Sequence, residues 1–148
     1  MFFYHLERQG LEQVLPKLLL ASLSRGWRCV VQAGSDERAE ALSSLLWTFD
    51  GDAFLPHGTK VDGVADLQPV WLTSGDDNPN GAGVRFYVDG TMPETVGGLD
   101  RAVVLFDGAD GEALQRARDG WKRFKAEGHA ISYWQQDENG KWQNRAAG

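Results

Sequence analysis

The chain has 148 residues, 42% of them apolar and 24% charged, with a formal net charge of −6 at pH 7. That fits one globular domain, able to bury about 70% of its unfolded surface without a disulfide or metal to hold it. The negative charge argues against a general nucleic-acid binder, which needs a basic surface to displace counterions.

Residues 2–6 are a short apolar run and read as a buried strand. After Gly10, the residues Leu11, Val14, Leu15, Leu18, Leu19 and Ser22 recur at helical spacing. This predicts a helix over 11–23, with Pro16 delaying its start or kinking it, and Gly26 ending it. Residues 27–33 read as a second strand, rich in aromatic and β-branched side chains. Ser35 is a good N-cap, with Asp36 and Glu37 in the first turn. Ala39, Leu42, Leu45 and Leu46 line one face of the helix that follows, which runs to Trp47. Residues 48–58 form an aromatic-rich loop. Residues 69–72 and 84–88 read as strands on either side of a Gly/Asn/Asp-rich loop. Residues 102–106 read as another strand, and 113–126 as the strongest helix, with Gly128 as its C-cap. Residues 131–134 read as the last strand. A polar segment follows, with a turn at Asn139-Gly140, and 144–148 are expected to be a disordered tail. Alternating strands and helices predict an α/β domain with a largely parallel sheet, spanning residues 1–143.

Little in this order points to catalysis. A nucleotide site would want Gly-x-Gly-x-x-Gly or a phosphate loop ending in Gly-Lys-Ser/Thr, and neither occurs. Gly108-Ala109-Asp110-Gly111 sits between a strand and a helix, but its two acids would repel phosphate, so it reads as a turn. Gly-x-Ser-x-Gly is absent. His5, His57 and His129 are far apart, without metal-ligand spacing. Cys29 is alone, which excludes an intramolecular disulfide, and it falls in an apolar strand as a buried, inert thiol. The many Asp-Gly pairs read as turns. No catalysis, cofactor or metal is expected. No run approaches the ~20 apolar residues of a membrane span. The N-terminal residues lack the basic region of a signal peptide, so a soluble, cytoplasmic protein is expected.

One feature stands out. Residues 111–148 carry seven Lys/Arg against five Asp/Glu, whereas the first 110 carry eight against sixteen. On a helix over 113–126, Leu114, Ala117, Trp121 and Phe124 fall on one apolar stripe. Arg118, Lys122 and Lys125 form a basic stripe beside it, and Tyr133 and Trp134 follow shortly after. A solvated basic face is one reading. The other is a groove with an apolar floor and a cationic rim, suited to a short acidic peptide with a hydrophobic anchor or to single-stranded nucleic acid. The net charge favours the peptide. A second candidate surface is residues 45–58, where Trp47, Phe49, Phe54, Leu55 and Pro56 are either packed under the domain or face a partner.

Residues 45–58 carry Trp47 followed by Ala53-Phe54-Leu55-Pro56-His57, which closely resembles a motif of the DNA polymerase III chi family. Ala126-Glu127-Gly128-His129 with Tyr133-Trp134-Gln135-Gln136 resembles the same family's end. The opening Phe2-Phe3-Tyr4 and the helix carrying Arg118, Trp121 and Lys122 fit as well, in the same order. The resemblance implies a single three-layer α/β/α domain like nucleotide-binding folds but without a phosphate-binding loop. It implies a non-catalytic subunit that links the clamp loader, through the psi subunit, to the acidic, Phe-ending C-terminal tail of the single-stranded-DNA-binding protein. DNA would be contacted only indirectly. By motif position, Arg118, Trp121, Lys122, Lys125, Tyr133 and Trp134 are expected at the tail site, and Trp47 and Phe54 toward psi. Gly120 stands where some members have Arg, which implies one basic contact fewer at the tail site. The competing readings are a direct single-stranded nucleic-acid binder and an α/β enzyme using His57 or the Asp-rich loops.

Overall fold

The computed structural model describes residues 1–48 and 55–145. Its elements are β1 (Phe2–Leu6), α1 (Leu11–Ser24), β2 (Cys29–Gln32), α2 (Asp36–Thr48), a 3-10 turn (Ala65–Leu67), β3 (Val70–Thr73), β4 (Val84–Tyr87), β5 (Arg101–Asp107), α3 (Gly111–Ala126), β6 (Ser132–Gln136) and β7 (Trp142–Asn144). The strands form one sheet in the order β3-β2-β4-β5-β1-β6-β7. All pairs are parallel except β6 with β7.

Strand alternation sorts the side chains onto two faces. Leu6, Val31, Val84, Phe86, Val103 and Leu105 meet Leu15 and Leu19 of α1 and Leu42 and Leu46 of α2. Phe3, Tyr87, Val104 and Phe106 meet Ala113 and Ala117 of α3 on the other face. The domain is therefore α/β/α in three layers, as the alternating pattern and the resemblance predict.

The helix ends follow local chemistry. Pro16 lies within α1 and is buried, and α1 nevertheless begins at Leu11, with the Gln13 side chain accepting from the Gly10 amide. The Ser35 hydroxyl accepts from the Arg38 amide at the start of α2, at 3.1 Å. Asp110 caps α3 by accepting from the amides of Glu112 and Ala113. At its other end Gly128 turns back at φ +89°, and the His129 amide donates to the Phe124 carbonyl.

The C-terminal segment departs from the expected tail. Asn139-Gly140 closes a hairpin, and residues 142–144 return along β6 with Trp142 opposite Gln136 and Asn144 opposite Trp134. The Asp137 carboxylate holds the turn by accepting from the amides of Asn139 and Lys141. These backbone bonds, Lys141 first, keep its carboxyl below the usual range. Asn144 is thus part of a strand, and the Arg145 amide donates to the Tyr133 carbonyl.

Candidate functional site

β1 and β5 are neighbours, but β1 leads into α1 on one face and β5 into α3 on the other. That is the topological switch point, where open α/β sheets hold ligands beyond the strands' carboxyl ends. A crevice of about 400 Å³ opens there, and its charged lining includes Glu7, Asp89, Asp107, Asp110, Arg38 and Arg116. Arg38 is already engaged by Asp89, at 3.0 Å. The α3 amides that would cradle phosphate are capped by Asp110, and Asp107 accepts from the Ala109 amide. Carboxylates of the chain itself thus occupy the positions a phosphate would need. Among the described residues, no group of three or more His, Cys, Asp and Glu is arranged to hold a metal ion. Among the described residues, no helix is long and apolar enough to cross a membrane.

The cationic cleft lies elsewhere, between α3 and β6. It spans about 480 Å³ and is lined by Arg118, Trp121, Lys122, Tyr133 and Arg145, with no acid among them. The core-facing line of α3 consists of Ala113, Ala117, Gly120 and Phe124. The sequence-derived stripe, weighted toward large residues, is therefore rotated by part of a turn. Small residues let the helix lie close to its neighbours: a Cβ at Gly120 would sit 2.9 Å from the Met92 sulfur. Leu114 and Trp121 are displaced to the flank, half-buried, and Trp121 thereby becomes a wall of the cleft. Position 120 faces inward, so the expectation that its glycine removes a contact from the cleft does not hold in this fold.

Lys125 places its ammonium 4.5 Å from the Trp121 ring centroid, a cation–π contact. Trp121 Nε1 is buried without a hydrogen-bond partner among the described residues. Tyr133 is fixed from below, its hydroxyl 2.7 Å from His5 Nδ1. Burial raises the Tyr133 pKa, and the nearby Arg118 partly opposes this. Burial lowers that of His5, with Glu7 opposing and Arg118 adding to the effect. His5 Nε2 is 2.9 Å from Glu7 Oε1, but off the direction of a hydrogen bond.

The structure therefore brings Arg118, Trp121, Lys122 and Tyr133 together, with Lys125 on the Trp121 ring. Trp134 is not among them. It alternates to the opposite face of β6, where it stacks on Tyr4 with centroids 6.3 Å apart. Arg145 lines the cleft and was missed by sequence reasoning, because residues 144–148 were read as a tail. The Asn-Gly turn was the signal that the chain doubles back.

Of the second candidate surface, Leu55 and His57 are buried, whereas Trp47 is 54% exposed. The Trp47 ring lies 4.3 Å from that of His57. His57 is anchored to two carbonyls, Leu55 at 2.6 Å and Ser43 of α2 at 3.0 Å. Phe49 and Phe54 lie outside the described residues. Besides Trp47, the exposed large apolar residues among those described are Val61, Val64 and Leu67, also missed from the sequence. Their spacing of three in a Gly/Asp-rich segment was the available signal. Val64 is non-glycine at φ +46°, a conformation costly for a β-branched residue.

Fold and site define a three-layer α/β domain, with carboxylates of the chain itself at the switch point of its largely parallel sheet and a cationic aromatic cleft on one flank. Comparison with known proteins gives the particular family. Residues 1–132 match the family described as DNA polymerase III chi subunit, HolC, and the chain belongs to it. It is also similar to a Rickettsia prowazekii (strain Madrid E) protein named probable DNA polymerase III subunit chi, 27% identical over 88 residues. That match covers 60% of this chain and 53% of the relative, so the chain spans about half the length of the curated relative it matches.

Proposed function

We propose that the chain is a non-catalytic accessory subunit of the bacterial replicative DNA polymerase. It would link the clamp loader, through psi, to the acidic C-terminal tail of the single-stranded-DNA-binding protein. The observation that carries this reading is the α3–β6 cleft. Three cationic side chains and two aromatic ones converge there without a lining acid, on a chain of net charge −6. Guanidinium forks suit carboxylates, and the Trp121 and Tyr133 walls suit an apolar anchor such as a terminal Phe. The psi side is supported by the exposed apolar residues Trp47, Val61, Val64 and Leu67, which all fall between positions 47 and 67 beside the motif containing Phe54. DNA would be reached only through these partners.

The test is fluorescence anisotropy of a labelled peptide copying the acidic, Phe-ending tail, titrated with the protein at low and moderate salt. Saturable binding that weakens with salt and is lost when the terminal Phe is removed supports the reading. No binding at tens of micromolar protein refutes the tail site. Equal or tighter binding of a single-stranded oligonucleotide would make nucleic acid the direct ligand.

A further inference from the structure

On the sheet face opposite the α3 cleft, α1 ends in a turn that sets up a second cationic aromatic site. Gly26 adopts φ +80°, and the Trp27 amide donates back to the Ser22 carbonyl at 3.1 Å. This turn brings the Trp27 indole beside β1 and β5. The Arg101 guanidinium lies 4.6 Å from the Trp27 ring and 4.9 Å from that of Phe2, and Arg25 lies 5.0 Å from Trp27. Among the described residues, neither arginine has an ion-pair partner. Beside them opens a pocket of about 130 Å³ whose lining includes Phe2, Tyr4, Leu18 and Val103 and no Asp or Glu. The Tyr4 hydroxyl makes no hydrogen bond among the described residues; burial raises its pKa, and the charge of Arg101 partly opposes this.

We propose that this pocket docks an acidic peptide segment of a partner protein. One carboxylate would be held by Arg25 and Arg101, and an adjoining apolar side chain would enter the pocket. A guanidinium resting on an aromatic ring keeps its N–H edge available for a carboxylate. The two arginines do not belong to a general basic field, since the first 110 residues carry sixteen acids against eight bases. That surrounding charge disfavours a nucleic-acid backbone, for which two cations offer few phosphate contacts. The pocket shares no residue with the α3 cleft. The proposal therefore does not rest on the tail site.

The probe is a synthetic peptide of four aspartates followed by two leucines, with an amidated C-terminus, titrated into the isotope-labelled protein. The readouts are the NMR resonances of the Trp27 indole and the Arg25 and Arg101 side chains. Saturable shifts of these signals are expected. They should persist in Arg118→Glu/Lys122→Glu and weaken about tenfold in Arg25→Gln, the loss of one charge-assisted contact. Arg25 is exposed, so its substitution leaves the fold intact; Arg101→Gln is the second variant, checked by its amide spectrum. Shifts confined to α3 and β6, or none at millimolar peptide, would overturn the proposal. So would a thymidine oligonucleotide that moves the Trp27 signal at lower concentration than the peptide.

Discussion

The His5 ring and the Tyr133 hydroxyl meet 2.7 Å apart, on adjacent strands β1 and β6, directly beneath the cationic cleft. A buried histidine thus sets the position of an aromatic wall of the candidate site. Because burial lowers the His5 pKa from its ordinary 6.5, the native state prefers the neutral ring.

The sign of the pH effect follows. Above pH 6.5 His5 is neutral in both folded and unfolded chains, and its stabilising contribution is complete. Below 6.5 the unfolded chain takes up a proton first, so stability falls as pH drops toward the lower native pKa. Denaturant unfolding at pH 7.5 and 5.5 should show a loss that is smaller in His5→Gln. Identical pH slopes for the two proteins would mean that His5 is not the titrating group. Tyr133→Phe, which keeps the wall but removes the hydroxyl, should cost about 0.5–1.5 kcal/mol of stability.

Arg118 and Lys122 are exposed on α3, so their substitution tests the cleft without disturbing the core. Arg118→Ala or Lys122→Glu should weaken tail-peptide binding by about 1–3 kcal/mol, the scale of a charge-assisted contact. Arg118→Lys, which keeps the charge but not the fork, should fall between wild type and Arg118→Ala. Unchanged affinity in anisotropy titrations would remove these residues from the site.

Gly120 separates packing from recognition. Its neighbour is the flexible end of Met92, which can move, so Gly120→Ala should stay within about 1 kcal/mol of wild type, helix propensity offsetting the closer contact. Gly120→Leu must force α3 away from the Met92 loop and should cost about 1–3 kcal/mol. Tail affinity of the folded fraction should be unchanged in both. A selective loss of binding in Gly120→Ala would show that this position reaches the ligand after all.

Much of this was readable in advance, for identifiable reasons. Each of β1–β6 contains an apolar or aromatic run, most of them flanked closely by Gly, Pro, Asp or Ser, and each helix has a cap or a glycine stop, so period and punctuation agree. The basic stripe of α3 was legible because Arg118, Lys122 and Lys125 recur at helical spacing. The rotation of α3 was not, because a wheel weighted by size points to Leu114 and Trp121. The close approach instead selects Ala113, Ala117 and Gly120. Strand β7 was hidden for another reason: Trp142-Gln143-Asn144 is too short and polar to signal a strand, and its pairing comes from the Asn-Gly turn. Trp134 was placed with Tyr133 by motif position and by its neighbouring place in the sequence, but adjacent residues of a strand point to opposite faces.

Cys29 gives a check on core integrity. It is fully buried in β2, and desolvation pushes its thiol up to about 11, with a Ser22 hydrogen bond opposing. The native protein should resist a thiol-specific reagent at pH 8 and react quickly only in denaturant. Rapid labelling without denaturant would show that β2 opens readily.

Trp47 and His57 are in ring contact but should respond differently to truncation. Trp47 is more than half exposed, so Trp47→Ala should cost about 1 kcal/mol or less in stability. His57 is buried and ties the Leu55 carbonyl to the Ser43 carbonyl of α2, so His57→Ala should cost about 1–3 kcal/mol. Under the adaptor reading, Trp47→Ala weakens psi binding and leaves tail binding intact, since the cleft lies on the opposite flank of the sheet. Pull-down with psi and anisotropy with the tail peptide, run on the same preparation, separate the outcomes. Loss of both activities together with a large fall in unfolding free energy would make Trp47 part of the packing rather than a partner contact.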